Sequence, residues 1–209
     1  MTWEGLSPPY ATIVADPPWP YRGGGESYVI PKPPGEWHTR GVERTGYTLA
    51  TMDELQAIDV ASLAAPDAHL YVWTTNAFMV EAHDLARAWG FTPKTILTWV
   101  KTHHDDPERV SMKTGYWFRG ATEHVVFAVR GSLRLATDEG VPTGFLWPRI
   151  DTHSVKPPQF FDLVERVSPG PYVELFARQP RLGWDHWGHG YETERVSSGG
   201  TVRPAARYL

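Results

Sequence analysis

Ala11-Thr12-Ile13-Val14-Ala15-Asp16-Pro17-Pro18-Trp19 is the stretch whose reading decides the fold. Small, apolar and β-branched residues run into an acidic residue and two prolines, the pattern of a buried strand that stops abruptly. Such a strand delivers a carboxylate at its carboxyl end, the edge of an open α/β sheet where ligands bind. Pro17 has no N–H, and two prolines hold the backbone extended, so the loop is expected to aim carbonyl oxygens inward without competing donors. Trp19 offers a face for a flipped-out base. A lone Asp-Pro would sooner cap a turn, with the Trp in the core; two prolines and a Trp directly after a strand favour a site.

A carboxylate beside carbonyl oxygens suits the exocyclic amine of adenine. That amine is a poor nucleophile because its lone pair is delocalised into the ring, and acceptors for its two hydrogens localise the pair. Val14-Ala15-Asp16-Pro17-Pro18-Trp19 resembles the signature of the DPPW, or permuted beta-class, amino-methyltransferases. That family includes the catalytic subunit of the messenger-RNA adenosine methyltransferase and bacterial and phage DNA adenine methyltransferases. The resemblance resumes, in the family's order, at Thr51-Met52-Asp53-Glu54-Leu55, Leu70-Tyr71-Val72-Trp73-Thr74, Trp99-Val100-Lys101-Thr102 and Thr114-Gly115-Tyr116-Trp117. It continues at Glu123-His124, His153-Ser154-Val155-Lys156-Pro157 and Glu174-Leu175-Phe176-Ala177-Arg178. Collinear matches from Ala11 to about Gly190 are far more specific than the four-residue motif alone.

The resemblance implies a Rossmann-like α/β domain that uses S-adenosylmethionine, with a mostly parallel sheet, helices on both faces and a permuted motif order. Asp16, Pro17, Pro18 and Trp19 would form the catalytic motif. The donor would be held by Asp16, Lys156, Glu174, Phe176 and Arg178, with His189 contributing a hydrogen bond. Lys101 and Glu123 would border the base pocket with Tyr21, Tyr116 and Trp117. Two places depart from the family: Leu49 stands where a tyrosine is usual, with Tyr47 two positions away, and the family's Trp-Gly-Asn is here Trp187-Gly188-His189-Gly190.

At 209 residues and 41% hydrophobic, the chain is long enough for one well-cored domain. Residues 1–191 are expected to form it, with 192–209 a flexible tail. Zero cysteines exclude disulfides and cysteine-ligated metal centres, and the nine histidines show no ligand spacing backed by carboxylates, so no metal is expected. The opening Met1-Thr2-Trp3-Glu4-Gly5 has no signal-peptide pattern and no apolar run approaches spanning length, which predicts a cytoplasmic protein that is not membrane-bound. A net charge of −4 argues against indiscriminate polyanion binding but leaves room for a local basic groove.

Along the chain, residues 22–46 form a long aperiodic connection carrying Arg40 and Arg44, expected to sit at the active-site rim and touch nucleic acid. Thr51 and Glu54 form a capping box that starts a helix running through Leu55, Ile58, Val60 and Leu63 until Pro66 ends it. Ala68 to Thr74 reads as a strand, Phe78 to Trp89 as a helix closed by Gly90, and Thr95 to Lys101 as the next strand. Residues 102–120 make a second rim loop and Thr122 to Arg130 another strand; residues 131–144 are a loose turn region. A helix begins near Pro157 with Ser154 as cap, and Tyr172 to Ala177 is the last expected strand. Strand and helix in alternation argue for parallel βαβ units.

The expected activity is methyl transfer from S-adenosylmethionine to adenine N6 in nucleic acid, DNA ahead of RNA, by a monomer or a homo- or heterodimer. Adenosine N6 in RNA and cytosine N4 in DNA present the same geometry and stay open. So does a silent subunit that binds nucleic acid for an active partner, although Asp16-Pro17-Pro18-Trp19 is intact.

Overall fold

A computed structural model of the chain describes residues 3, 5–20, 50–113, 117–150 and 155–188. The decisive stretch forms β1, Tyr10–Ala15, with Ile13, Val14 and Ala15 fully buried. Six further strands follow: β2 (Ala64–Thr74), β3 (Thr92–Thr102), β4 (Thr122–Arg130), β5 (Gly144–Pro148), β6 (Tyr172–Leu175) and β7 (Trp184–Trp187). They make one sheet in the order β5-β3-β4-β2-β1-β6-β7. β4 runs antiparallel to both of its neighbours, β2 and β3, while the other pairings are parallel.

Alternation along β1 feeds two cores. Ile13 and Ala15 pack with Leu55, Leu85 and Trp89 beneath α1 (Met52–Gln56) and α2 (Met79–Ala88). Val14 points the other way, into a cluster with Tyr71, Trp73, Trp99 and the α3 residues Phe160, Phe161 and Val164; α3 spans Pro158–Val167. Helices therefore cover both faces of a mostly parallel α/β sheet, as expected.

The capping box at Thr51 is present: its hydroxyl accepts the Glu54 N–H at 3.2 Å, and the Glu54 carboxylate accepts the Thr51 N–H at 2.8 Å. The helix it starts is shorter than expected. Asp59 turns its carboxylate back to accept the Ser62 N–H, a local bond that competes with helix continuation, and a 3-10 turn takes over at Val60–Ser62. Pro66 consequently ends no helix and lies inside β2. The β1–β2 register slips between Tyr10 and Thr12 there, so the ladder loses nothing to its missing N–H. β5 and β7 were not expected at all; both are short, at the two edges of the sheet, and flanked by Gly and Pro. Among the described residues no helix is long and apolar enough to cross a membrane.

Candidate active site

Parallel strands end at a common edge, and antiparallel β4 begins there. This arrangement gathers Asp16 just beyond β1, Lys101 near the end of β3, Glu123 at the start of β4 and Lys156 two residues ahead of α3. Lys156 Nζ lies 3.1 Å from Asp16 Oδ1 and donates to Glu123 Oε2 at 2.9 Å, while Lys101 Nζ donates to Glu123 Oε1. The result is a row of alternating charge, Asp16–Lys156–Glu123–Lys101, none of whose side chains is more than 18% exposed.

Aromatic rings floor the row. Lys156 Nζ sits 4.8 Å over the Trp73 ring and Lys101 Nζ 4.8 Å over Trp99, and the two indoles meet edge to face. A ring's electron-rich face offsets part of the desolvation of a buried ammonium. Burial pushes the Asp16 carboxyl up, against the pull of Lys156 and Arg178. Burial would do the same to Glu123, but Lys156 and Lys101 more than offset it and hold that carboxyl down at about 2. Burial lowers Lys101; it would also lower Lys156, which its two carboxylates instead raise. Glu123 is thus held as an anion, while burial works against the charge of Asp16.

Beside Asp16 opens a cleft of about 350 Å³, lined by Lys156, Phe161, Glu174, Phe176, Arg178 and Arg181 among others. That volume falls within the range of small-molecule sites. Burial, reinforced by the neighbouring Asp16 charge, raises the Glu174 carboxyl to about 7, against Arg181, Lys156 and Arg178. Phe176, directly after β6, has φ of 61°, a left-handed conformation that costs a non-glycine residue energy and concentrates at functional sites. Opposite it, a Cβ on Gly188 would stand 2.4 Å from the Ala177 carbonyl oxygen, so only glycine lets the ends of β6 and β7 approach this closely.

The structure thus brings Asp16, Lys156, Glu174, Phe176 and Arg178 together around one cleft and ties Glu123 to them. Trp19 is placed otherwise. It is 3% exposed, its ring stacks on Phe78 at 5.5 Å and its Nε1 donates to the Trp73 carbonyl at 3.0 Å, so it is a pillar of the core and not an open stacking face. The loop carbonyls also have donors: the Trp19 N–H bonds Pro17 O at 2.8 Å and the Ala50 N–H bonds Pro18 O at 2.9 Å. Each keeps one further lone pair. Lys101 is buried against Glu123 and does not line the cleft. Trp117 does lie on the second rim loop, 86% exposed beside Phe118. Tyr21, Arg40, Arg44, Tyr116 and His189, with Ser154, the 22–46 loop and the 192–209 tail, lie outside the described residues.

Sequence reasoning missed Arg181 and Trp73. Arg181 follows Arg178 by three residues in the same post-strand loop, and its guanidinium lies 3.7 Å over the Phe161 ring. The expected strand ending near it was the available signal. Trp73 stood within a matching segment, but nothing in one dimension places it beneath Lys156.

The MT-A70 family model matches residues 10–190. The chain is a member of the MT-A70 family. Among its relatives, the type II methyltransferase M.MunI of Mycoplasma sp is 32% identical over 187 residues, covering 86% of this chain and 76% of that protein. The human N(6)-adenosine-methyltransferase catalytic subunit METTL3 is 25% identical over 81% of this chain but only 26% of its own length. Human METTL4, an N(6)-adenine-specific methyltransferase, is 29% identical over 81% of this chain and 38% of its own. The chain therefore spans well under half of these two human relatives. Methyltransferase relatives imply an S-adenosylmethionine donor, and the cleft fits one: a molecule carrying an ammonium, a carboxylate and a sulfonium meets both signs of charge here. Arg181 Nε, buried and without a hydrogen-bond partner, is a donor awaiting an acceptor.

Proposed function

We propose that the protein transfers a methyl group from S-adenosylmethionine to the N6 amine of adenine in DNA. Membership of the MT-A70 family, with N6-adenine methyltransferases among its relatives, supports the reaction class. The observation that carries the mechanism is Asp16 held by Lys156 on the lip of the donor-sized cleft. DNA is favoured because M.MunI, the 32%-identical relative three quarters of whose length this chain covers, is a type II methyltransferase. The match over residues 10–190 supports reading residues 1–191 as one catalytic domain.

S-adenosylmethionine, when bound, supplies a methyl group on a positively charged sulfur, which leaves as a neutral thioether. Every other task falls to the chain. Glu174, Phe176, Arg178, Arg181 and Lys156 hold the donor in the cleft. Asp16 accepts a hydrogen from the adenine amine, and the free lone pair of the Pro17 carbonyl accepts the other, so that the nitrogen lone pair faces the donor. Positioning of this kind supplies much of the acceleration. The amine's proton becomes acidic as the new bond forms, and Asp16 is the acceptor in reach. Trp117 on the exposed loop, with Tyr21, Tyr116, Arg40 and Arg44, supplies contacts to the polymer.

The test is transfer of radiolabelled methyl to sequence-matched DNA and RNA, with the digested nucleosides resolved afterwards. Label in N6-methyldeoxyadenosine supports the reading. Label confined to the RNA digest or to N4-methylcytosine replaces it, and donor binding without transfer to either polymer points to a subunit that needs a partner.

A further inference from the structure

Lys101 does not line the cleft, is 7% exposed, and sits at the far end of the charge row from Asp16. Its backbone is pinned on both sides by the second rim loop: its N–H bonds the Ala121 carbonyl at 2.8 Å, and its carbonyl accepts the Ser111 N–H at 2.7 Å. A buried lysine that touches neither the cleft nor open solvent has its effect through what it holds, and it holds Glu123. Without it, Lys156 would stand between two buried carboxylates that compete for a single ammonium. With it, Glu123 is satisfied at both oxygens and Lys156 remains on Asp16.

Resting on the proposed reaction, we infer that Lys101 is a positioning residue, which acts through Glu123 and Lys156 to keep the Asp16 carboxylate charged and aimed at the substrate amine. The groups facing Asp16 are Lys156 ahead of α3, Glu123 from β4, Glu174 from β6 and Arg178 beyond it. Those facing Lys101 are Glu123, Lys113 and Lys156, and His124 senses Glu123 from the opposite face of the sheet. Removing Lys101 leaves the row with an excess negative charge and lets Glu123 draw Lys156 away, so Asp16 takes up a proton at higher pH. Removing the Glu123 charge acts in the opposite sense, because it deletes a repulsion and releases Lys156 to Asp16.

The experiment reads Asp16 directly, by a pH titration of the full-length protein carrying ¹³C-labelled aspartate side chains, with the Asp16 resonance assigned from Asp16→Asn. Lys101→Met is expected to raise the midpoint by about one pH unit, the scale of a lost neighbouring charge. Lys101→Arg is expected to restore it, and Glu123→Gln to lower it. The acid limb of the methyl-transfer rate should follow the same order. An unmoved midpoint in folded Lys101→Met overturns the inference, as does Lys101→Arg behaving like Lys101→Met. Should Lys101→Met not fold, a Glu123→Gln midpoint that stays or rises overturns it instead. Failure of the wild-type protein to make N6-methyladenine would overturn the proposed reaction alone, because the titration needs no turnover.

Discussion

In the proposed reaction Asp16 carries both the chemistry and a cost. Its carboxylate is buried, with Lys156 3.1 Å away and Arg178 also favouring the charged form, and removing its charge at constant volume isolates its role. Asp16→Asn is expected to lower single-turnover methyl transfer by about a hundredfold or more, the order of losing one preorganised polar group, with an unchanged far-UV circular dichroism spectrum. Glu174 makes the complementary case. Its folded value near 7 lies above the ordinary carboxylate value of 4.5, so the folded state retains a proton that the unfolded chain releases. Stability is therefore fully present below about pH 4.5 and falls as pH rises through 7. Glu174→Gln should match the wild-type melting temperature near pH 5 and exceed it at pH 8, the gap corresponding to at most about 3 kcal/mol; a gap that is the same at both pH values contradicts it. Asp16 was legible because a strand that runs into two prolines has few other uses. Lys156 and Glu174 were legible through collinear resemblance, and Trp19 was misread because proximity to the motif says nothing of which way a ring faces.

Elements that bury a periodic stripe announced themselves, and elements defined by their neighbours did not. β1, β4 and α2 follow from apolar runs and from Gly90, whose φ of 84° closes the helix as expected. β5 and β7 are strands because β3 and β6 offer them an edge, and the four residues of Trp184–Trp187 contain too little pattern to say so. β7 nonetheless shapes the site through Gly188. Gly188→Ala places a methyl 2.4 Å from one backbone atom and 2.7 Å from another, neither of which can move like a side chain. The expected result is a loss of about 1 to 3 kcal/mol in stability together with at least tenfold weaker donor binding by calorimetry. Normal donor affinity would place the donor away from the β6–β7 joint.

For the molecule as a whole, charge is spent locally. The chain carries a net −4, while the row at the site sums to zero and lies mostly out of solvent. Raising salt from about 50 to about 200 mM should therefore weaken binding of the proposed DNA substrate through lost phosphate contacts but change the single-turnover rate at saturating substrate less than twofold, since buried pairs are screened little. A rate that falls in parallel with affinity would mean that the row is open to ions. The reversed direction of β4 has one further consequence. Because β3 ends and β4 begins on the same edge, the 103–121 loop leaves and re-enters the sheet at adjacent points, as a hairpin does. Provided that the Ser111 and Ala121 bonds to the Lys101 backbone are kept, it can be lengthened, shortened or exchanged without rerouting any strand, which makes it a replaceable cassette. Rewriting that cassette would change what meets the substrate while the strands beneath it keep their order and register.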